Sequence, residues 1–411
     1  MNTYDIKIQQ LEKVATKKLT FKGETKVFDV YKVPIDMLFY NDLNGRIATF
    51  ISQYASEGKD ITSLENKTYN DTIAEFIKNS ATLARFKKTK EDIRQNTQKE
   101  VGVVLTDGRV IDGNRRFTCL RELFDETGDQ KFAYFEAVVL DAPSKTDEYA
   151  WKAIKSLELE LQIGTDEKVD YSPIDWLVRV YRDVVKEKLF TEQEYCRLTK
   201  LSASGFRKTK TKAELMEDFL EFFNKPEQFY IAKKLELDGP LQELVKTRKR
   251  LNDREWDSIK AVFYVYLWTA KSGDKTRFVR NLANSVGTPD FAPLITKAVS
   301  DAEKILNGEK VTPESKPVKP TTIGQDGSYN PQPAKEVQSS LETQAQDIIA
   351  KKSNFDAKNK PIKCCEDALK NLGEIDQGLV DRWNDVTMTS KYKRLLNDLE
   401  RTIERLKNHV S

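Results

Sequence analysis

Residues Asp107–Leu123 (DGRVIDGNRRFTCLREL) bring together side chains that could hold a phosphate. Asp107-Gly108 suits a tight turn and Val110-Ile111 a short strand. Gly113 suits a sharp entry into a helix whose Phe117, Leu120 and Leu123 face a core. Arg115 and Arg116 then stand in the first turn of that helix, beside Asp112 and Asn114. A helix N-terminus already offers N–H groups and the positive end of its dipole to an anion, and guanidinium forks add donors matched to phosphate oxygens. Cations at that end oppose the dipole, so an anion is what makes them useful. The plainer account of these residues is a turn glycine with arginines in solvent, or paired with Asp112 or Glu122.

Other chemistry is restricted by what the chain lacks. His409 is the only histidine in 411 residues, so no Ser-His-Asp triad, Cys-His dyad or imidazole-rich metal site can be assembled. Cys119, Cys196, Cys364 and Cys365 have no metal-ligand spacing and suggest neither a disulfide framework nor a zinc site, so all four are expected as reduced thiols. Chemistry must therefore use carboxylates, amides, Arg, Lys and Mg²⁺. The net charge of +3 is close to neutral, so contact with nucleic acid requires a local basic patch. No apolar stretch is long enough for a membrane span and the first residues lack the apolar core of a signal peptide, which predicts a cytoplasmic protein without membrane contact.

The elements that would position the loop divide the chain. Residues 1–145 mix β-type runs (KVFDVYKVPI, VGVVLT, RVIDG, AYFEAVVLDA) with helical ones (IATFISQYASEG, NDTIAEFIKNS, NRRFTCLRELFDETG), an α+β domain. Residues 146–307 have helical periodicity almost throughout and form an all-α domain. Residues 308–337 are rich in proline and poor in large apolar side chains, a flexible linker. Residues 338–411 return to helix, and the last one places Leu395, Leu396, Leu399, Ile403 and Leu406 on one face, which suits either a dimerisation tail or a plain helical hairpin.

Within the all-α part, residues 191–212 read as a helix-turn-helix. Thr191 and Glu194 form a capping box and Ser202 caps the second helix. Tyr195, Leu198, Leu201 and Phe206 supply the apolar contacts, with Cys196 at the close crossing. Lys200 stands where glycine is usual and must accept a left-handed conformation. Arg207, Lys208, Lys210 and Lys212, with Ser202 and Ser204, are the candidate DNA contacts. The same basic face could equally be solvated surface, and so could the run Lys246–Arg250.

Three segments in order resemble the ParB/sulfiredoxin-like superfamily. Gly113, Arg115 and Arg116 match its Gly-Glu-Arg-Arg loop, with Asn114 in place of the glutamate. VPIDMLFYNDLNGRIATF is similar to a strand followed by Asn-Pro-x-Gln-Pro-Arg, Asn41 and Arg46 matching the asparagine and arginine. SLELELQIGTDEKVDYSPIDWL is similar to the helix bearing Glu-Asn-Leu-Gln, Leu161-Gln162 matching its end and Glu160 replacing its asparagine. The likeness covers residues 25–225, about half the chain. It implies an N-terminal nucleotide-binding domain followed by a DNA-binding domain. Asn41, Arg46, Asp112, Gly113, Asn114, Arg115 and Arg116 would hold a nucleoside triphosphate (CTP or ATP). Glu160 would be the metal and catalytic carboxylate for Mg²⁺, and Asn44 would stand where relatives that hydrolyse CTP have a glutamine.

The function so implied is a nucleotide-dependent DNA-binding homodimer of the plasmid-partition or regulatory clamp type, with Mg²⁺-dependent triphosphatase activity left open. Ile111–Arg116 also resembles the Asp-Gly-Gln-Gln-Arg signature of nucleotide-dependent endonuclease effectors of phage restriction. The competing expectation is therefore a nuclease or phosphotransfer enzyme using Asp112, Glu158 or Glu160.

Overall fold

A computed structural model describes residues 4–80, 83–144, 146–163, 172–270, 273–308 and 340–409. Contacts divide the chain into two units, Met1–Gln346 and Asp347–Ser411. The expected linker lies almost wholly outside the described residues.

The first unit opens with a mixed sheet of six strands in the order β1-β2-β6-β4-β5-β3. These are β1 (Lys13–Phe21), β2 (Glu24–Pro34), β3 (Phe39–Tyr40), β4 (Gly102–Leu105), β5 (Arg109–Asp112) and β6 (Tyr134–Leu140). The central strands are apolar on both faces because both are covered. Val104, Val110, Ala137 and Val139 face a core shared with Tyr69, Ile73, Phe117, Leu120 and Leu123. Val103, Leu105, Ile111, Val138 and Leu140 face a second core with Ile154 and Leu157. The first cover is built by α1 (Ala48–Ser56), α2 (Asn66–Ser80), α3 (Leu83–Asn96) and α4 (Asn114–Thr127), and the second by α5 (Glu148–Ile163). Neither β1 nor α3 is anticipated from the sequence. Both are lysine-rich, and β1 is an edge strand whose charges mask its alternation.

The helical part continues through α6 (Pro173–Val180), α7 (Glu192–Thr199), α8 (Ala203–Phe222), α9 (Phe229–Lys234), α10 (Asp238–Arg248), α11 (Asp253–Thr269), α12 (Lys275–Ala283) and α13 (Ala292–Leu306). The helix that Ser202 caps is the 20-residue α8, because Ala213, Leu215, Met216, Phe219 and Leu220 continue the buried stripe begun by Phe206. A polar joint ties this part to the sheet domain. Buried Asp175 on α6 accepts from Thr49 N in the first turn of α1 (3.1 Å) and from Lys233 Nζ on α9 (3.0 Å). The carboxylate there satisfies a helix-end donor and a lysine at once.

In the C-terminal region α14 (Leu341–Gly373) is followed by α15 (Gln377–Val380) and α16 (Val386–Lys407). α14 runs for 33 residues and carries Pro361 within it. The five apolar residues expected on one face of α16 are all exposed, from Leu399 at 39% to Leu395 at 53%. No helix among the described residues is long and apolar enough to cross a membrane.

Glu217 on α8 gives a pH signature. It is 4% exposed, Oε1 accepts from Glu227 N (2.9 Å), and Oε2 has no partner. Burial, with Glu221 and Glu227 nearby, pushes its carboxyl up to about 7 from 4.5, while the Glu227 N–H and Lys186 oppose the rise. A raised acid is protonated in the folded state while already ionised in the unfolded chain, so its contribution to stability is full below about pH 4.5 and is lost as pH rises through about 7. Glu217→Gln is expected to flatten the fall in stability across that window and to stabilise the chain above it, as read by urea unfolding at a series of pH values.

Candidate phosphate site and candidate DNA-binding helix

Strands β3 and β5 are parallel, with Tyr40 opposite Val110, so the loops leaving their C-terminal ends emerge side by side. One is Asn41–Ile47, leading into α1, and the other is Asp112–Gly113, leading into α4. Neighbouring parallel strands of this kind commonly place ligand-binding loops together. Tyr40 Oη also lies 2.8 Å from Thr118 Oγ1, pinning the end of β3 to α4.

Gly113 is the N-cap of α4 at φ +95°, a conformation open to glycine. A Cβ here would lie 2.7 Å from the Phe135 ring and 2.9 Å from Arg116 Nη2. No side chain caps α4, so its first N–H groups are left to another partner. Asn114 is 7% exposed and its Oδ1 has no partner.

The two arginines part company. Arg116 folds back to Asp112, its Nη2 3.0 Å from Oδ2, which is the plain pairing foreseen for it. Lys17 of β1 lies near this pair and donates to Val101 O (2.7 Å). Arg115 has no ion pair with any carboxylate among the described residues. Burial, with Arg46 and then Arg85 close by, holds its guanidinium below the ordinary arginine value. Glu122, the other acid considered for it, is engaged by Lys90 (2.6 Å) and Lys78 (3.0 Å). The site thus draws like charges together from the Asn44–Ile47 turn, α3 and α4. Arg85 was missed because α3 itself was not anticipated.

Asn41 and Asn44 sit beside this cluster but use their side chains on the backbone. Asn41 Oδ1 accepts from Leu43 N (3.1 Å), and Asn44 Oδ1 accepts from Arg46 N (3.0 Å) to cap the short helical turn that presents Arg46. Both are buried, and they shape the loop.

The third segment departs from the sequence expectation. Glu160 is partly buried and its charged neighbour is Arg197 of α7, while Glu158 and Gln162, one turn apart on α5, form the inward face. Glu158 is 1% exposed, between Arg179 Nη2 (3.6 Å) and Lys155 Nζ (3.5 Å), and Arg179 Nη1 donates to Gln162 Oε1 (2.5 Å). Lys155 also donates to Leu43 O (3.3 Å), joining α5 to the Asn41–Arg46 loop. The four-residue spacing of Glu158 and Gln162 could have shown this shared face.

Mg²⁺ does not fit these residues. It is usually held by one or two carboxylates together with phosphate oxygens. Here Asp112 is taken by Arg116 and Glu158 by Arg179 and Lys155. Asp42, pushed up by burial, lies near Arg109 and Lys155. Among the described residues no group of three or more His, Cys, Asp or Glu is placed to hold a metal ion.

The caps and the turn expected in residues 191–212 are present. Thr191 and Glu194 make the capping box, Lys200 is left-handed at φ 56°, and Ser202 Oγ accepts from Gly205 N (3.1 Å). The Tyr195 and Phe206 rings are 5.4 Å apart and carry the crossing. Cys196 is half-buried instead of sealed in the crossing, with its thiol raised by burial and by Glu192. Ser202, Ser204, Arg207 and Lys208 are exposed on the first turns of α8. Arg207 reaches Glu192 (2.9 Å) and Lys210 lies 3.6 Å from Glu214. Lys212 leaves the candidate surface: it is 8% exposed and bonds Asp238 (2.5 Å), because position 212 falls on the buried side of α8. In the second basic run, Lys246 pairs with Glu243 (2.9 Å) and Arg248 with Asp253.

Gly113→Ala is expected to cost about 1–3 kcal/mol in thermal or urea unfolding, because the added methyl meets the Phe135 ring in a left-handed turn. An unchanged stability would show that the turn has room to move. Comparison of the chain with protein-family models and with curated proteins finds no match.

Proposed function

We propose that the chain is a nucleotide-dependent DNA-binding protein similar to the ParB-like superfamily, with a phosphate site in the sheet domain and DNA on the first turns of α8. The observation that carries the reading is Arg115. A partly buried guanidinium at an uncapped helix N-terminus, near Arg46 and Arg85 and without a carboxylate partner among the described residues, is costly unless a polyanion supplies the missing charge. The capped helix-turn-helix, with Ser202, Ser204, Arg207 and Lys208 exposed, supports the DNA half of the reading. The joint of Asp175 with Thr49 and Lys233 gives the loop that bears Arg46 a fixed connection to α6, which packs on α8.

The test measures binding of the four ribonucleoside triphosphates and of duplex DNA to the whole chain. Arg115→Ala is expected to weaken triphosphate binding about tenfold or more, the worth of a charge-assisted hydrogen bond. The double change Arg207→Ala with Lys208→Ala is expected to weaken DNA binding and lower its salt dependence, leaving triphosphate binding intact. Triphosphate binding that is indifferent to Arg115→Ala would overturn the site assignment.

A further inference from the structure

Helix α16 carries an apolar seam with a regular repeat. Tyr392, Leu396, Leu399, Ile403 and Leu406 follow one another in alternating steps of four and three, the heptad spacing of a coiled coil. The four aliphatic members are exposed, as are Leu395 and Met388 beside them. Tyr392 is partly covered by Trp383, which precedes the helix, with the ring centroids 5.4 Å apart. On α14 the exposed Phe355, Ile362 and Leu369 stand seven residues apart, one per heptad, so that helix has no full seam to offer and leaves this one open. A helix of 22 residues draws most of its stability from packing of its apolar face, so the α16 seam calls for a partner.

The charges beside the seam select that partner and its direction. One edge carries Lys393, Glu400 and Lys407, one per heptad, and the other carries Leu395 and Thr402. Lys393 and Glu400 are exposed, and neither pairs with another side chain among the described residues. Parallel copies of the helix would set the charged edge against Leu395 and Thr402 and gain no ion pair. Antiparallel copies set the charged edge against itself. With Glu400 opposite Glu400 of the second copy, Lys393 faces Lys407 and every pair repels. Sliding one copy by one heptad places Lys393 opposite Glu400 of the second copy, twice over by symmetry, and keeps the seam in register with Leu396 against Leu399 and Tyr392 against Ile403. We infer that a second copy of this chain covers the α16 seam in this antiparallel register, with the two Lys393–Glu400 pairs fixing direction and offset. Charge complementarity of this kind excludes the other pairings more than it adds affinity.

The experiment is sedimentation velocity of the whole chain across a range of concentrations at low salt. The expected result is a dimer that Lys393→Glu and Glu400→Lys each weaken about tenfold, since either change sets like charges together at two places. Mixing the two variants is expected to give a one-to-one heterodimer about as tight as wild type, because one chain then carries two lysines and the other two glutamates. The double variant with both changes is expected to recover the homodimer, which separates lost pairing from lost folding. A wild-type chain that stays monomeric, a dimer indifferent to both reversals, or single variants that fail to complement one another overturns the inference. A monomer that binds vesicles of anionic lipid through α16 overturns it as well and gives the seam to a membrane surface.

Discussion

Strand β3 has two residues and β5 has four, and their parallel pairing, Tyr40 against Val110, decides what the loops beyond them can do. Parallel neighbours send their chains out at the same end, so the turn bearing Arg46 and the helix start bearing Arg115 meet although about 70 residues separate them. The pairing holds because both sheet faces are buried, Val110 against one set of helices and Ile111 against α5. Phe135 on β6 lies beneath Gly113, so glycine is needed to close the turn over the ring. The candidate site is thus fixed by packing that is apolar and remote from its charges.

Those charges are arranged by the same elements. The helix start would be neutral if both arginines found acids, but only Arg116 does so. Arg115 is partly buried, and burial, followed by the charge of Arg46, holds its guanidinium below the ordinary arginine value. Burial without a carboxylate partner among the described residues makes the Arg115 guanidinium a cost to stability. On the other side of the Asn41–Arg46 loop acids and bases alternate: Glu158, Gln162, Arg179 and Lys155 form a network of ion pairs and hydrogen bonds that ties α5 and α6 to the sheet domain, although Glu158 Oε2 makes no hydrogen bond of its own. The first cluster is the one that the proposed function gives to a phosphate, and the second joins structural elements.

Much of the local structure was legible in the residue pattern. The strand, glycine and helix around Gly113, the capping box at Thr191 and Glu194, and the left-handed Lys200 follow from local rules that depend on a few neighbouring residues. The environment of each charged side chain was not legible, because it depends on partners distant in sequence. Arg116 and Arg115 are adjacent and chemically alike, yet Asp112 claims one and Arg85, from an unforeseen helix, approaches the other. Lys212 shares its spacing with exposed basic residues, and only the position of α10 buries it against Asp238. Glu160 looked like a metal ligand by alignment of a short motif, while the helical phase of α5 turns Glu158 inward instead.

The most direct measurement is an NMR titration of the arginine Nε–H signals with tripolyphosphate, assigned through single Arg→Lys changes. Shifts confined to Arg46, Arg85 and Arg115, with Arg116 held unchanged by Asp112, are the expected result. Shifts centred on Arg116, or a set of arginine signals that does not respond, would contradict the account.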